Sequence, residues 1–235
     1  MPESKYTIAL IGNPNVGKSV IFNNLVPGAR QHVGNWPGKT VEKKEGNFTH
    51  NGVQLKLVDL PGTYSLTAAA EDELVSRNFI IQEKPDLVVD VVDASNLERN
   101  LYLTTLLLEL DANILLVLNM TDIAEEKGYK INVEVLRQKF GVPIITTIAT
   151  KAKGMNDLKD AILKAAQNPK KGNLIYGKKI EGVIEYLMEL LKKDARLSEG
   201  YPLRWLSIKL IEKDEQALDI IKNSPINAEL MEVIS

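Results

Sequence analysis

Gly12 to Ser19 read Gly-Asn-Pro-Asn-Val-Gly-Lys-Ser, directly after the apolar run Thr7–Ile11. The spacing Gly-x4-Gly-Lys-Ser, set between a strand and a helix, builds a phosphate-binding loop. Its backbone N–H groups converge on phosphate oxygens, the Lys reaches the β- and γ-phosphates, and the Ser hydroxyl binds Mg²⁺. Gly12, Asn13, Pro14, Asn15, Val16, Gly17, Lys18 and Ser19, with Val20 behind them, are therefore expected to line a nucleotide. The positive end of a helix starting at Ser19 would add to the attraction.

Asp59-Leu60-Pro61-Gly62 follows a second strand-like run. In a protein with a phosphate loop, such an Asp holds Mg²⁺ and the Gly amide bonds the γ-phosphate when it is present, which makes a sensor of nucleotide state. Asn119-Met120-Thr121-Asp122 closes a third run and resembles the Asn-Lys-x-Asp signature by which GTPases read guanine. Asp122 would accept from the guanine ring N–H and exocyclic amine, whereas adenine would leave the carboxylate unpaired. Met120 stands where Lys is usual, and a thioether chain can also lie on a ring face. The Gly- and Pro-rich stretch Pro27–Thr40 is expected to be a mobile loop, with Gly38 and Lys39 near the nucleotide and Thr40 closing over Mg²⁺ and the γ-phosphate. Ala149 and Thr150 would contact the guanine carbonyl through a backbone N–H.

The elements that must carry these motifs can be read from the same chain. Strand-like runs at Thr7–Ile11, Gln54–Val58, Leu87–Val92, Asn113–Leu118 and Val142–Thr146 alternate with helical patterns at Ser19–Leu25, Asp72–Glu83, Leu97–Leu110, Val133–Phe140 and Asn156–Ala166. This predicts an α/β fold with a mostly parallel sheet. Asn51-Gly52 between two strand candidates predicts a tight hairpin, hence one antiparallel edge. A polar breaker at Asn168–Gly172 ends the alternation, which places a GTP-binding domain at 1–167 and a small all-α domain at 168–235. In the latter, Ile180, Val183, Ile184, Leu187, Leu190 and Leu191 recur at helical spacing, Pro202 opens a helix over Leu203–Ile211, and Trp205 is expected in the core.

Composition limits the partners. The chain has 235 residues, 44% hydrophobic, with 29 Lys and Arg against 31 Asp and Glu, so no global charge draws it to nucleic acid. It contains no cysteine, which excludes disulfides and thiolate metal sites. No apolar run approaches the roughly 18 residues a membrane span requires, and the N-terminus lacks signal-peptide character. His32 and His50 stand in no metal-ligand cluster. Glu71-Asp72-Glu73 reads as a solvated helix start that complements the helix dipole.

The stretches Val33-Gly34-Asn35-Trp36-Pro37-Gly38-Lys39-Thr40-Val41-Glu42 and Asp59-Leu60-Pro61-Gly62-Thr63-Tyr64-Ser65-Leu66, with the phosphate loop and Asn119–Asp122, resemble the ferrous iron transport protein B (FeoB) family. The resemblance implies a P-loop GTPase domain followed by a helical domain, both on the cytosolic face of a cell membrane. It further implies a C-terminal transmembrane permease as partner, controlled by GTP/GDP-dependent switching. Thr63 stands where many small GTPases carry a water-orienting Gln, so slow hydrolysis is expected. Catalysis would rest on Lys18, Thr40, Gly62 and Asn15, with Ser19, Thr40 and Asp59 on Mg²⁺. An Asn at the position of Asn15 resembles that of potassium-activated GTPases, which implies that Asn15 binds K⁺; the bland alternative is that it only stabilises the loop turn. Two other readings stay open, a soluble GTPase of ribosome or RNA maturation and a nucleotide-gated binding module with negligible hydrolysis. Homo-oligomerisation is left open as well.

Overall fold

The computed structural model describes residues 5–67 and 70–234. Its described residues fall into two compact units, one running to Leu108 and resuming at Ala112–Asn173, the other comprising Glu109–Asp111 and the chain from Leu174.

The first unit is built on a seven-stranded sheet. In chain order the strands are β1 (Tyr6–Gly12), β2 (Gln31–Asn35), β3 (Glu42–His50), β4 (Val53–Asp59), β5 (Leu87–Asp93), β6 (Ile114–Asn119) and β7 (Ile144–Thr146), arranged β2-β3-β4-β1-β5-β6-β7. β4, β1, β5, β6 and β7 run parallel, as apolar runs separated by helices require, and Leu115, Leu116 and Val117 of β6 are wholly buried. At Asn51-Gly52 both residues have positive φ, 48° and 76°, the conformation that lets a two-residue turn follow the strand twist between β3 and β4. The antiparallel edge is wider than one hairpin, because Gln31–Asn35 adds β2 to β3. That strand lies inside the stretch expected to be a mobile loop. It escapes pattern reading because four of its five residues are exposed and backbone pairing alone makes it a strand.

The helices of this unit are α1 (Lys18–Leu25), α2 (Glu71–Asn78), α3 (Leu97–Glu109, whose last residue groups with the second unit), α4 (Thr121–Glu126), α5 (Val133–Phe140) and α6 (Met155–Gln167). The single helix expected over Asp72–Glu83 is two pieces, α2 and a π-helical turn at Phe79–Glu83. Apolar spacing does not separate a π-turn from an α-helix of this length. α4 leaves no apolar pattern in the sequence, being six residues with one buried side chain, Ala124.

The second unit is all helical: α7 (Lys178–Leu191), α8 (Ala195–Gly200), α9 (Leu203–Ile211), α10 (Glu215–Ile221) and α11 (Asn227–Ile234). Ile184, Leu187, Leu190, Leu191 and Trp205 form its interior with Leu206 and Leu230, whereas Ile180 and Val183 are exposed, at 47% and 38%. The first two turns of α7 therefore carry apolar residues outside the core. Polar groups are paired at depth: Lys209 (5% exposed) lies 2.7 Å from Glu212 and 3.3 Å from Glu109, and Tyr176 donates to Glu109. Arg204 holds Glu181 through both guanidinium NH groups at 2.8 Å.

Candidate functional site

The loop between β1 and α1 leaves no space for side chains at its glycines. A Cβ on Gly12 would lie 2.4 Å from the Val91 carbonyl oxygen, and one on Gly17 2.4 Å from Asn119 Nδ2. Gly17 also has φ 88°, which an L side chain strains to adopt. Asn15 is exposed with φ 66°, a left-handed position that Asn tolerates through its short polar side chain. Asn13 is 3% exposed, and neither polar atom of its side chain has a protein partner. Buried unpaired amides are uncommon, and here one sits in the loop expected to meet phosphate.

Lys18, the first residue of α1, forms an ion pair with Asp59 at the end of β4. Burial pushes the Asp59 carboxyl above its usual range, and the Lys18 ammonium opposes that shift. The turn after Asp59 is tied to the phosphate loop, since Leu60 N–H donates to Leu10 O at 2.9 Å and Thr63 N–H to Gly12 O at 3.2 Å. Gly62 packs on Pro14, with 3.5 Å from its virtual Cβ to Pro14 Cα. Thr63 is 4% exposed and its hydroxyl donates to Ser65 O at 2.7 Å, so this side chain is committed to the turn. Tyr64, 44% exposed, lies under the Arg99 guanidinium at 4.4 Å.

Asn119 ends β6 and joins three segments. Its amide donates to Val16 O at 2.9 Å, while its Oδ1 accepts from Ala149 N–H and from the Thr147 hydroxyl, both at 3.0 Å. This buried side chain works as a bolt between the phosphate loop and the loop after β7. The Ala149 N–H assigned in the sequence to a base carbonyl is thus occupied by Asn119, and Ala149 O accepts from Asn24 at 2.9 Å. Met120 has φ 61°, and its terminal methyl lies 3.6 Å from the virtual Cβ of Gly17. Asp122, in the first turn of α4, is 2.8 Å from Lys151 and accepts from Ile123 N–H at 3.1 Å. The Lys151 ammonium holds the Asp122 carboxyl below its usual range. No spacing rule in the sequence ties Lys151, in one loop, to Asp122 in another.

Thr40 is set apart from these groups. It is exposed, and its hydroxyl donates to Glu71 Oε2 at 3.1 Å; Lys39 lies 3.5 Å from the same carboxylate. The structure therefore gives Glu71 a contact that its reading as a solvated helix start did not supply. Gly38, at φ 69°, meets open space. Ser19 and Val20 are exposed on α1. His50 pairs with Asp160 at 2.6 Å, and among the described residues no cluster of three His, Asp or Glu could hold a metal. No helix among them is long and apolar enough to cross a membrane.

A mostly parallel sheet with a Gly-x4-Gly-Lys-Ser loop after its first strand, Asp-x-x-Gly after β4 and Asn-x-x-Asp after β6 defines a P-loop GTPase fold. Residues 6–162 match the family model for ferrous iron transport protein B, and residues 176–235 match that of the FeoB cytosolic helical domain. The Fe(2+) transporter FeoB of Methanocaldococcus jannaschii is 51% identical over 229 residues, covering 97% of this chain and 34% of that protein. Its counterpart from Escherichia coli K12 is 43% identical over 214 residues, covering 89% of this chain and 27% of that protein. The cytosolic domain of the T. maritima FeoB iron transporter superposes in a GDP form with TM-score 0.86 at 34% identity, covering 100% of this chain and 96% of that one. Its GMPPNP form gives 0.82 at 34% identity, covering 97% and 96%. The chain belongs to the FeoB family. It spans about a third or less of the length of these transporters.

Proposed function

We propose that this chain is the GTP-binding, GTP-hydrolysing regulatory part of a ferrous iron transporter, acting on the cytosolic side of a membrane and controlling a permease beyond it. The observation that carries the reading is the Asn119 bolt. One buried side chain fixes Val16 of the phosphate loop to Thr147 and Ala149, so the phosphate-binding and base-reading loops are held as one frame. Membership of the FeoB family disfavours the soluble RNA-maturation alternative.

In this reading, residues 1–167 form the GTP-binding domain and 168–235 the helical one. The amides of Gly12–Ser19 surround the phosphates, and the unpaired Asn13 amide supplies further hydrogen-bonding capacity beside them. Lys18 leaves Asp59 for the β- and γ-phosphate oxygens when nucleotide enters, and its charge then opposes the negative charge that grows as the γ-phosphoryl group is attacked by water. Ser19 and the released Asp59, with Thr40, would hold Mg²⁺, which neutralises phosphate charge when bound. Thr40 must give up Glu71 to take that role, which makes its hydrogen bond a marker of the open loop. The Gly62 amide senses the γ-phosphate. Asp122 turns from Lys151 to accept the two guanine N–H groups, Met120 covers the base, and Thr150, next to the engaged Ala149, offers its N–H to the guanine carbonyl.

Thr63 is held in its turn and cannot orient water as a Gln would, so hydrolysis is slow unless another charge assists. Asn15 would hold K⁺, an oxygen-coordinated cation that offsets transition-state charge. Its exposed carbonyl oxygen suits such an ion, and its left-handed backbone equally serves the turn. GTP cleavage measured in KCl and in NaCl, for the native chain and Asn15→Ala, decides between these roles. Faster cleavage in KCl that Asn15→Ala abolishes is expected; equal rates in both salts for the native chain would remove the K⁺ role. Single-turnover conditions with no cleavage at all would instead leave a nucleotide-gated binding module.

A further inference from the structure

Between the strand face of β3 and β4 and the helix α2 with its π-turn lies a cavity of about 410 Å³, within the usual size of small-molecule sites. None of Gly12–Ser19, Asn119–Asp122 or Ala149–Lys151 lines it, and it shares only Trp36, Pro37 and Lys39 with the Pro27–Thr40 stretch expected beside the nucleotide. Trp36 and Phe79 stand at its wall, their rings edge to face with centroids 5.5 Å apart, and Val75 adds an apolar surface. The Trp36 indole N–H is buried and has no acceptor. An indole N–H can only donate, so whatever completes this group must bring an acceptor oxygen or nitrogen.

Charge narrows the class further. Three lysines, Lys39, Lys43 and Lys56, line the cavity against two glutamates, Glu45 and Glu83. Glu45 is engaged by Lys43 at 2.9 Å and Lys56 at 3.2 Å, and Lys43 also lies over the Trp36 ring at 5.1 Å. Lys39 is held less closely, 3.5 Å from Glu71 with both side chains 42% exposed, and is the cation able to turn toward an incoming anion. An excess of one positive charge suits a singly charged group and not a polyphosphate. We propose that this cavity is a binding site for a small aromatic anion of the aryl carboxylate or aryl sulfonate class. Its ring packs on Trp36, Phe79 and Val75, an oxygen accepts from Trp36 Nε1, and its charge is met by Lys39.

The test uses the two indole N–H resonances, since the chain has only Trp36 and Trp205. Titration with 1-anilinonaphthalene-8-sulfonate should move one resonance downfield, saturating at one equivalent, and that resonance should be absent from Trp36→Phe. Affinity should fall about tenfold in Trp36→Phe, as expected for one lost hydrogen bond to a charged group. N-phenyl-1-naphthylamine, the same ring system without the sulfonate, should bind the native chain about tenfold more weakly, and Lys39→Gln should close the gap between the two probes. Asn78→Trp places bulk in the cavity at a half-buried position and should abolish the shift, with its melting temperature checked against the native chain. Movement of the Trp205 resonance alone, movement of neither, or unchanged affinity in both Trp36→Phe and Asn78→Trp would overturn the proposal.

Discussion

The two ends of the sheet are held in opposite ways. At the end where β6 and β7 lie, Asn119 is 2% exposed and satisfies a carbonyl of the phosphate loop together with an amide and a hydroxyl of the loop after β7. At the β2 end, residues 32–35 are exposed, Thr40 and Lys39 reach Glu71 through surface contacts, and β2 joins the sheet through its backbone ladder to β3. Buried, fully partnered polar groups cost the most to rearrange, whereas exposed pairs are worth roughly 0–1 kcal/mol. Under the proposed function, the difference teaches how one domain could read a base with a fixed frame and report a phosphate with a movable one. On that proposal, the surface hydrogen bond from Thr40 to Glu71 is weak enough for a bound nucleotide to replace.

The strongest way to break this contrast is at Asp122, the carboxylate proposed to read the base. Asp122→Asn puts a donor where guanine also donates, and a site built for the opposite pattern should lose roughly a thousandfold in GDP affinity, measured with a fluorescent analogue. Melting should change little, because Asp122 is partly exposed and its ion pair is with the exposed Lys151.

Asp90 probes the fixed end from within. It is wholly buried on β5, accepts from the Thr104 hydroxyl at 2.6 Å, and its other oxygen has no partner. Burial pushes its carboxyl from 3.8 to about 7, with the Thr104 bond opposing. The folded state thus holds a proton that the unfolded chain releases near pH 4, so this stabilisation is complete below about pH 4 and is lost as the pH rises to about 7. Denaturant unfolding should show stability falling by up to about 4 kcal/mol across that window. Asp90→Asn, which is neutral throughout, should flatten the dependence; an unaltered slope would show that Asp90 is ionised in the fold.

Removing the bolt tests the frame directly. Asn119→Ala leaves Val16 O, Ala149 N–H and the Thr147 hydroxyl short of partners, and should cost about 3 kcal/mol, lowering the melting midpoint by roughly 6–12 °C. Nucleotide affinity should fall with it, because the two loops lose their common support. The smallest effect belongs to the movable end. Glu71→Ala should change stability by less than about 0.5 kcal/mol, yet release Thr40, so hydrogen exchange over residues 36–41 should quicken without nucleotide and differ little from native once a GTP analogue is bound.

Much of the site was legible because its chemistry depends on residues close in sequence. The phosphate loop needs Gly12, Gly17, Lys18 and Ser19 at fixed spacing, and the Asn51-Gly52 turn needs positive φ at both positions; such local demands leave a pattern. β2 left none, since its partner rather than its side chains makes it a strand. The π-turn at Phe79–Glu83 was hidden within an ordinary helical pattern, and the exposed Ile180 and Val183 show that apolar periodicity marks a helix face without saying how far a core extends along it.

The sequence by itself determined the class of fold, the identities of the residues expected at phosphate and base, and the FeoB resemblance, because each rests on short-range spacing. Only the tertiary structure decided that Asn119 bolts two loops together, that Lys18 meets Asp59, that Lys151 meets Asp122, and that Glu71 holds Thr40. These are contacts between residues brought together by strand order and helix packing, and side-chain charge or hydrogen-bonding capacity says what a residue can pair with, while the fold alone says which partner is within reach.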